Sequence, residues 1–301
     1  MNDTVTPDWI AVDWGTTNLR AWAMRGTRVL DRACSDEGMG SLSQDAFEPA
    51  LKALVSPWLS HGPVPVIACG MVGSRQGWVE APYRQVPCAP AESALTRAPA
   101  SGDLSVHIVS GLSQTTPPDV MRGEETQIAG FLQLNPGWDG VLCLPGTHTK
   151  WVHLSAGEVV SFQTFMTGEL FALVSGASVL RHSVSGEGWD SDAFEAAVGD
   201  TLARPEKLAG RLFGLRAGQL LTGTDPSTAR AALSGLLIGA ELAAARPYWL
   251  GQNMAILGTG TQACAYRDAL APQGVSCLMV DTERATLAGL TAARRLLKET
   301  T

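Results

Sequence analysis

Short runs of apolar residues broken by single polar positions open the chain. "WIAVDW", "LRAWAM" and "RVLDRAC" follow one another with only brief polar turns between them. Runs of this length, rich in β-branched and aromatic residues, predict a strand meander. The spacing then changes: "DAFEPALKALVSPWL" places its apolar residues at helical intervals, and "VPVIACGMVG" and "VHIVSGLS" return to strand. A helix is expected from Glu124 through "TQIAGFLQL", stopped by Asn135, Pro136 and Gly137.

The opening pattern then recurs. "DGVLCLPGTHTKWVHL" gives a strand, a Gly/Thr turn and a second strand, and "EVVSFQTFMTG" gives a third. Residues 169–250 read as mostly helical, after which "MAILGTGTQACAYRDAL" supplies strand, glycine turn and helix. The expectation is an α/β chain of two domains, 1–134 and 135–301, the second repeating the architecture of the first.

Composition narrows the classes. The chain has 301 residues, 45% hydrophobic and 17% charged, which is a folded composition with room for two cores. The net charge is -7, from 22 basic and 29 acidic residues, and no basic face is evident. Nucleic acid and anionic membrane surfaces are therefore disfavoured as partners. The six cysteines show no C-x-x-C spacing, as free core thiols in a reducing compartment do not. "MNDTVTPDW" has neither a basic start nor an apolar core, and "LSGLLIGAELAAA" carries Glu241 and is short for a membrane span. These features together predict a cytoplasmic protein and leave homo-oligomerisation open.

Three glycine turns carry the candidate chemistry. In the first, Gly15, Thr16, Thr17 and Asn18 offer backbone amides and hydroxyls to an anion at the end of the first strand. Asp13 would point into the same space. A carboxylate beside a phosphate is repulsive unless Mg2+ lies between them, so Asp13 is the expected metal ligand, with Arg20 adding a charge-assisted contact. The competing reading is a polar hairpin in which Asp13 caps backbone amides. The second turn, Gly146, Thr147, His148, Thr149 and Lys150, again places glycine and threonine at a strand end. The third, Gly258, Thr259 and Gly260, precedes a helix. Taken alone it also fits a dinucleotide fingerprint with Asp281 on the ribose, but too little chain follows Gly258 to complete a doubly wound sheet.

In this order the three turns resemble the phosphate 1, phosphate 2 and adenosine motifs of the actin-like ATPase and sugar kinase superfamily. "DWGTTNLRAW", "ACGMVGSRQGW", "MRGEETQIAGF", "LPGTHTKWV", "FMTGELFALV" and "SGLLIGAELAAARPYW" are similar to the 2-dehydro-3-deoxygalactonokinase family over nearly the whole chain. The resemblance implies two ribonuclease-H-like domains flanking an interdomain cleft, with ATP and Mg2+ as cofactors. It further implies γ-phosphoryl transfer to the terminal hydroxyl of 2-dehydro-3-deoxy-D-galactonate. A kinase of a different sugar or sugar acid, an actin-like ATPase without a small acceptor and a nicotinamide dehydrogenase are the alternatives.

Related sugar kinases place an aspartate ahead of the phosphate 2 turn, where this chain has "RGEETQ". Glu125 aligns best as the catalytic base and Glu124 is its competitor. Both also suit the first turn of a helix, where acids meet the positive end of the dipole. A sugar acid needs a cation, and Ser74, Arg75 and Gln76 follow a strand end in a glycine-flanked loop; Arg75 is the leading carboxylate clamp, against a solvated loop arginine. Trp78 is a stacking candidate or a core residue. Glu37, Gly38 and Met39 are assigned to substrate by position, His148 is a phosphate donor or a plain turn residue, and Glu241 is a candidate ribose contact. The other histidines lack metal-ligand spacing.

Overall fold

The computed structural model describes residues 5–59, 62–91, 95–102 and 104–299; part of the N-terminal reading, Met1–Thr4, lies outside the described residues. By contacts the chain divides into two units, Met1–Trp138 with Ser155–Ser161 and Asp281–Thr301, and Asp139–Leu154 with Phe162–Val280.

The first unit is built on a six-stranded sheet of order β3-β2-β1-β4-β7-β6. The elements are β1 (Trp9–Trp14), β2 (Leu19–Arg25), β3 (Arg28–Ser35), α1 (Phe47–Val55), β4 (Val64–Gly70), β5 (Tyr83–Gln85), β6 (Thr96–Arg97) and β7 (Leu104–Ile108). A small sheet of order β5-β8-β9 adds β8 (Gly111–Thr115) and β9 (Pro118–Met121), and α2 (Glu124–Leu134) follows. β1, β2 and β3 form the expected antiparallel meander, whereas β4 and β7 run parallel to β1.

Alternation along β1 divides its side chains between two cores. Ile10, Val12 and Trp14 pack with Phe47, Leu51 and Val55 of α1, while Trp9 and Ala11 pack on the other face with Ile67, Cys69, Leu290 and Ala293. The last two belong to α9 (Thr282–Glu299), which crosses α2 closely. A Cβ on Gly130 would overlap the Ala285 carbonyl, and one on Gly289 the Thr126 carbonyl, so the crossing needs glycine on both helices. The tail that sequence alone joins to the second domain thus packs in the first unit.

"VHIVSGLS", expected as one strand, is two, in different sheets. The break falls at Val109–Ser110, and a Cβ on the next residue, Gly111, would press on the Met121 carbonyl and the Tyr83 ring.

The second unit repeats the topology in a five-stranded sheet of order β12-β11-β10-β13-β14. It comprises β10 (Gly140–Leu144), β11 (Thr149–Ser155), β12 (Glu158–Phe165), β13 (Met254–Leu257) and β14 (Cys277–Val280). Its helices are α3 (Thr167–Gly176), α4 (Ser191–Ala203), α5 (Leu208–Thr222), α6 (Pro226–Ala244), α7 (Arg246–Trp249) and α8 (Thr261–Leu270), so residues 169–250 are largely helical as expected. Asp225 starts α6 by accepting from the amides of Ser227 and Thr228, with Pro226 at the first helical position. Among the described residues, no helix is long and apolar enough to cross a membrane.

Candidate active site

Asp13 continues the row of Trp9 and Ala11, which turns it to the face covered by α9 and α2 rather than α1. Its cross-strand partners are Arg20 on β2 and Cys69 on β4. The Arg20 guanidinium stands 3.6 Å from Oδ2, and the Cys69 thiol donates to Oδ1 at 3.9 Å. Burial raises the Asp13 pKa, and Arg20 opposes that rise. The carboxylate is 19% exposed.

Two glycines bring the start of α2 against the end of β4. Gly70 has φ +94° and Gly123 φ +105°, conformations that side chains resist. A Cβ on Gly123 would stand 3.2 Å from the Gly70 Cα. This close approach sets Glu125 beside the thiol of Cys69, whose pKa is pushed well up by burial and then by the Asp13 and Glu125 charges. Glu125 is fully buried; it accepts from the Gly123 amide at 2.6 Å and the Thr126 hydroxyl at 3.2 Å. Burial, followed by repulsion from Glu124, pushes its carboxyl up to about 8. Glu124 accepts from the Arg122 amide at 3.1 Å. Asp13 on β1 and Glu125 at the start of α2 thus both border Cys69, at the carboxyl ends of the parallel strands β1 and β4, where open α/β sheets place ligand sites.

The first turn is closed by the Gly15 amide on the Asn18 carbonyl at 2.9 Å, leaving Thr16 and Thr17 exposed. Residues 36–40 buttress it. The Met39 amide donates to the Gly15 carbonyl and the Gly40 amide to the Thr16 carbonyl, while a Cβ on Gly38 would overlap the Thr16–Thr17 backbone. The Glu37 carbonyl accepts from the Trp14 indole at 2.9 Å. Positions 37–39 therefore hold the turn from behind. Arg75 and Gln76 are exposed and Ser74 is buried. Trp78 packs between Phe47 and Trp14 in the core, its faces covered by protein, so stacking on a sugar is not its role.

In the second unit Thr147 and His148 are exposed at the turn, and Thr149 and Lys150 are buried beneath it. The Thr149 hydroxyl pairs with the Tyr266 hydroxyl at 3.0 Å, and Lys150 Nζ donates to the His148 carbonyl at 3.2 Å. The start of α3 docks on this turn: the Glu169 amide donates to the Thr147 carbonyl, and Glu169 Oε2 meets His148 Nε2 at 2.6 Å. From α8, Gln262 donates to the Gly146 carbonyl at 2.9 Å. Gly258 has φ +136°, and Gly260 begins α8 without a side-chain cap, leaving amide donors of the kind that bind phosphate. A cavity of about 730 Å³ is lined by Thr147, Gly168, Trp189, Arg230, Thr261 and Gln262 among others, a volume that admits a nucleotide.

Glu241 does not reach this cavity as a ribose contact. It is buried, and its two oxygens accept from the Trp151 indole and the Tyr266 hydroxyl, each at 2.7 Å. Burial raises its pKa against these hydrogen bonds and one from Thr167. Asp281, the ribose candidate of the dehydrogenase reading, caps α9 through the Arg284 amide at 2.7 Å.

The protein-family model described as 2-keto-3-deoxy-galactonokinase matches residues 13–293. The chain belongs to that family. It is 41% identical over 298 residues to a Rhizobium meliloti (strain 1021) protein named "Probable 2-dehydro-3-deoxygalactonokinase DgoK1", covering 96% of this chain and 97% of the relative. It is 36% identical over 294 residues to the 2-dehydro-3-deoxygalactonokinase of Escherichia coli (strain K12), covering 95% and 97%. A Sinorhizobium meliloti protein whose crystal structure carries a 2-dehydro-3-deoxygalactonokinase assignment superposes with a TM-score of 0.90 at 40% identity, over 96% of this chain and 99% of that one. The fold is accordingly the two-unit ribonuclease-H-like architecture of the sugar kinases, and the enzyme is a kinase of this family.

Proposed function

We propose that this chain transfers the γ-phosphoryl group of ATP to the 6-hydroxyl of 2-dehydro-3-deoxy-D-galactonate, giving the 6-phosphate. Family membership supports the substrate class, and the observation that carries the chemistry is a fully buried glutamate, Glu125, held near Cys69, the cross-strand neighbour of Asp13, with its carboxyl raised to about 8. Phosphoryl transfer asks mainly for positioning and for charge stabilisation, with a carboxylate to orient or deprotonate the attacking hydroxyl. Glu125 in its ionised form takes that proton. Its oxygens are already aimed by the Gly123 amide and the Thr126 hydroxyl, so little reorganisation is needed.

Asp13 is the proposed ligand for Mg2+, which would neutralise phosphate charge. Among the described residues no group of three or more His, Cys, Asp or Glu is arranged for a metal. That suits Mg2+, which commonly takes one or two carboxylates and fills its octahedron with phosphate oxygens and water. Arg20 balances the Asp13 charge. In the second unit the half-buried Gly146, the exposed Thr147 and His148, the uncapped start of α8 after Gly258–Gly260, and the adjoining cavity form the proposed nucleotide site. Ser74, Arg75 and Gln76 are proposed on the acceptor side, with the acceptor role assigned to the first unit and the nucleotide role to the second.

The test is direct. Purified protein with Mg-ATP should release ADP only when 2-dehydro-3-deoxy-D-galactonate is added. ADP release of equal rate without acceptor, or none with any sugar acid, would remove this reading.

A further inference from the structure

Four buried hydrogen-bonding atoms around the start of α2 have no partner: Nε and Nη1 of Arg122, and the hydroxyls of Ser74 and Ser110. The residues are 8%, 5% and 0% exposed. Buried donors are almost always satisfied, and a group of open ones calls for an explanation. Arg122 uses only Nη2, donating to the Ala81 carbonyl at 2.8 Å, and its guanidinium lies 4.3 Å from the centre of the Tyr83 ring. It makes no ion pair among the described residues. Its charge acts on the Glu125 carboxyl, but Nε and Nη1 make no hydrogen bond to it or to any other group, and a buried guanidinium with idle donors suits an added anion.

The three residues share one neighbourhood. Ser74 follows Gly73, whose Cβ position is 3.0 Å from Arg122 Nη1 and 2.7 Å from Ile108 Cγ2. Ser110 lies two residues beyond Ile108. Extending the β4–β7 register sets Ser110 level with Gly70, and extending the β8–β9 register sets it opposite Gly123. Gly70 and Gly123 are the pair whose contact brings the start of α2, with Glu125, against the end of β4 next to Cys69. The open donors therefore surround the same turn that carries the proposed base.

We infer that Arg122, Ser74 and Ser110 form an anion site for the carboxylate end of the acceptor. This rests on the sugar-acid kinase reading and deepens it: a 2-keto acid offers two carboxylate oxygens and a keto oxygen, a match for a guanidinium fork and two hydroxyls. The assignment moves the main carboxylate contact from the exposed Arg75 to a buried side chain, where a charge-assisted pair is screened least by water.

Steady-state kinetics with both substrates varied test it. Arg122→Lys keeps the charge and loses the fork; it should raise KM for 2-dehydro-3-deoxy-D-galactonate at least tenfold and leave KM for ATP within twofold. Ser74→Ala and Ser110→Ala should each raise the acceptor KM several-fold, and Arg75→Ala less than Arg122→Lys. Should Arg122→Lys fail to fold by circular dichroism, the two serine variants decide. Wild type that turns over while these variants keep its acceptor KM, or shift both KM values together, overturns the anion site alone. Wild type that phosphorylates no sugar acid overturns the kinase reading, a failure seen before any variant is made.

Discussion

Replacing Glu125 with glutamine separates the cost of this residue from its use. Its carboxyl is raised from 4.5 to about 8, chiefly because burial disfavours the charged form. Between those values the folded protein binds a proton that the unfolded chain has released, so stability falls as pH rises through the window. The stabilisation is complete below pH 4.5 and gone above pH 8. A displacement of this size corresponds to about 5 kcal/mol, at about 1.4 kcal/mol per pKa unit. Glu125→Gln cannot titrate, so its stability relative to wild type should climb by that order between pH 5 and pH 8.5. Asp13 and Glu241 also have raised pKa values, but they titrate in both proteins and cancel from the difference. Urea denaturation of the two proteins at pH 5, 7 and 8.5 measures it. The same substitution should lower kcat by about 10²- to 10⁴-fold, the range for a lost general base, and wild-type kcat/KM for the acceptor should rise with pH toward a plateau above about 8. Parallel stability curves at all three pH values would refute the buried-carboxyl argument.

Asp13→Asn should cut kcat by at least about 100-fold with the fold retained, because it removes the proposed metal-binding charge; normal turnover at saturating Mg2+ would make the opening acid structural. Gly289→Ala would drive a methyl into the Thr126 carbonyl and should cost about 1–3 kcal/mol or more by urea denaturation; an unchanged midpoint would mean that α9 can shift freely on α2. Glu241→Gln presents an amide group to one of two donors that now both meet carboxylate oxygens, and should destabilise by about 1–3 kcal/mol. Because Tyr266 also bonds Thr149 in the second turn, that variant should raise KM for ATP more than KM for the acceptor; the reverse would disconnect this network from the nucleotide.

Short apolar runs bounded by polar turns made β1, β2 and β3 legible, with β1 buried on both faces, and helical spacing made α1 legible because one of its faces lies in a core. The start of α2 at Glu124 and its stop at Asn135 were equally visible, since Pro136 follows and the Asn135 side chain closes the last turn on the Phe131 carbonyl. What pattern cannot record is which strand pairs with which. The break at Ser110 follows from the sheet to which each half belongs, and the place of α9 follows from two glycines more than 150 residues apart. The same limit applies to the site. Gly38 signals a close approach, but the fold decides that its neighbour is the Thr16–Thr17 backbone. Arg122 stood inside the "RGEETQ" segment that sequence reasoning weighed for its acids, and a buried arginine leaves no periodic trace. The exposed Arg75 drew attention instead because its glycine-flanked loop is visible in one dimension.

The two units share a strand order over five strands, yet their hairpins are not charged alike, and the difference suits the different roles proposed for the two turns. With the glycines of the two turns aligned, Asp13 corresponds to Leu144 and Arg20 to the cation of Lys150 across the hairpin. A second carboxylate at position 144 would face phosphate with no further metal to shield it, at a cost that repulsion between close anions makes prohibitive. Leucine there is buried in the sheet, and the acid that does reach the turn, Glu169 of α3, meets His148. The buried acid linked to the second turn, Glu241, has its two oxygens taken by Trp151 and Tyr266. One hairpin is thus suited to hold a metal, the other to hold phosphate by amides alone. A variant carrying aspartate at 144 should therefore weaken ATP binding even at saturating Mg2+, and an unchanged KM for ATP would show that the second turn tolerates a negative charge and is not a phosphate clamp.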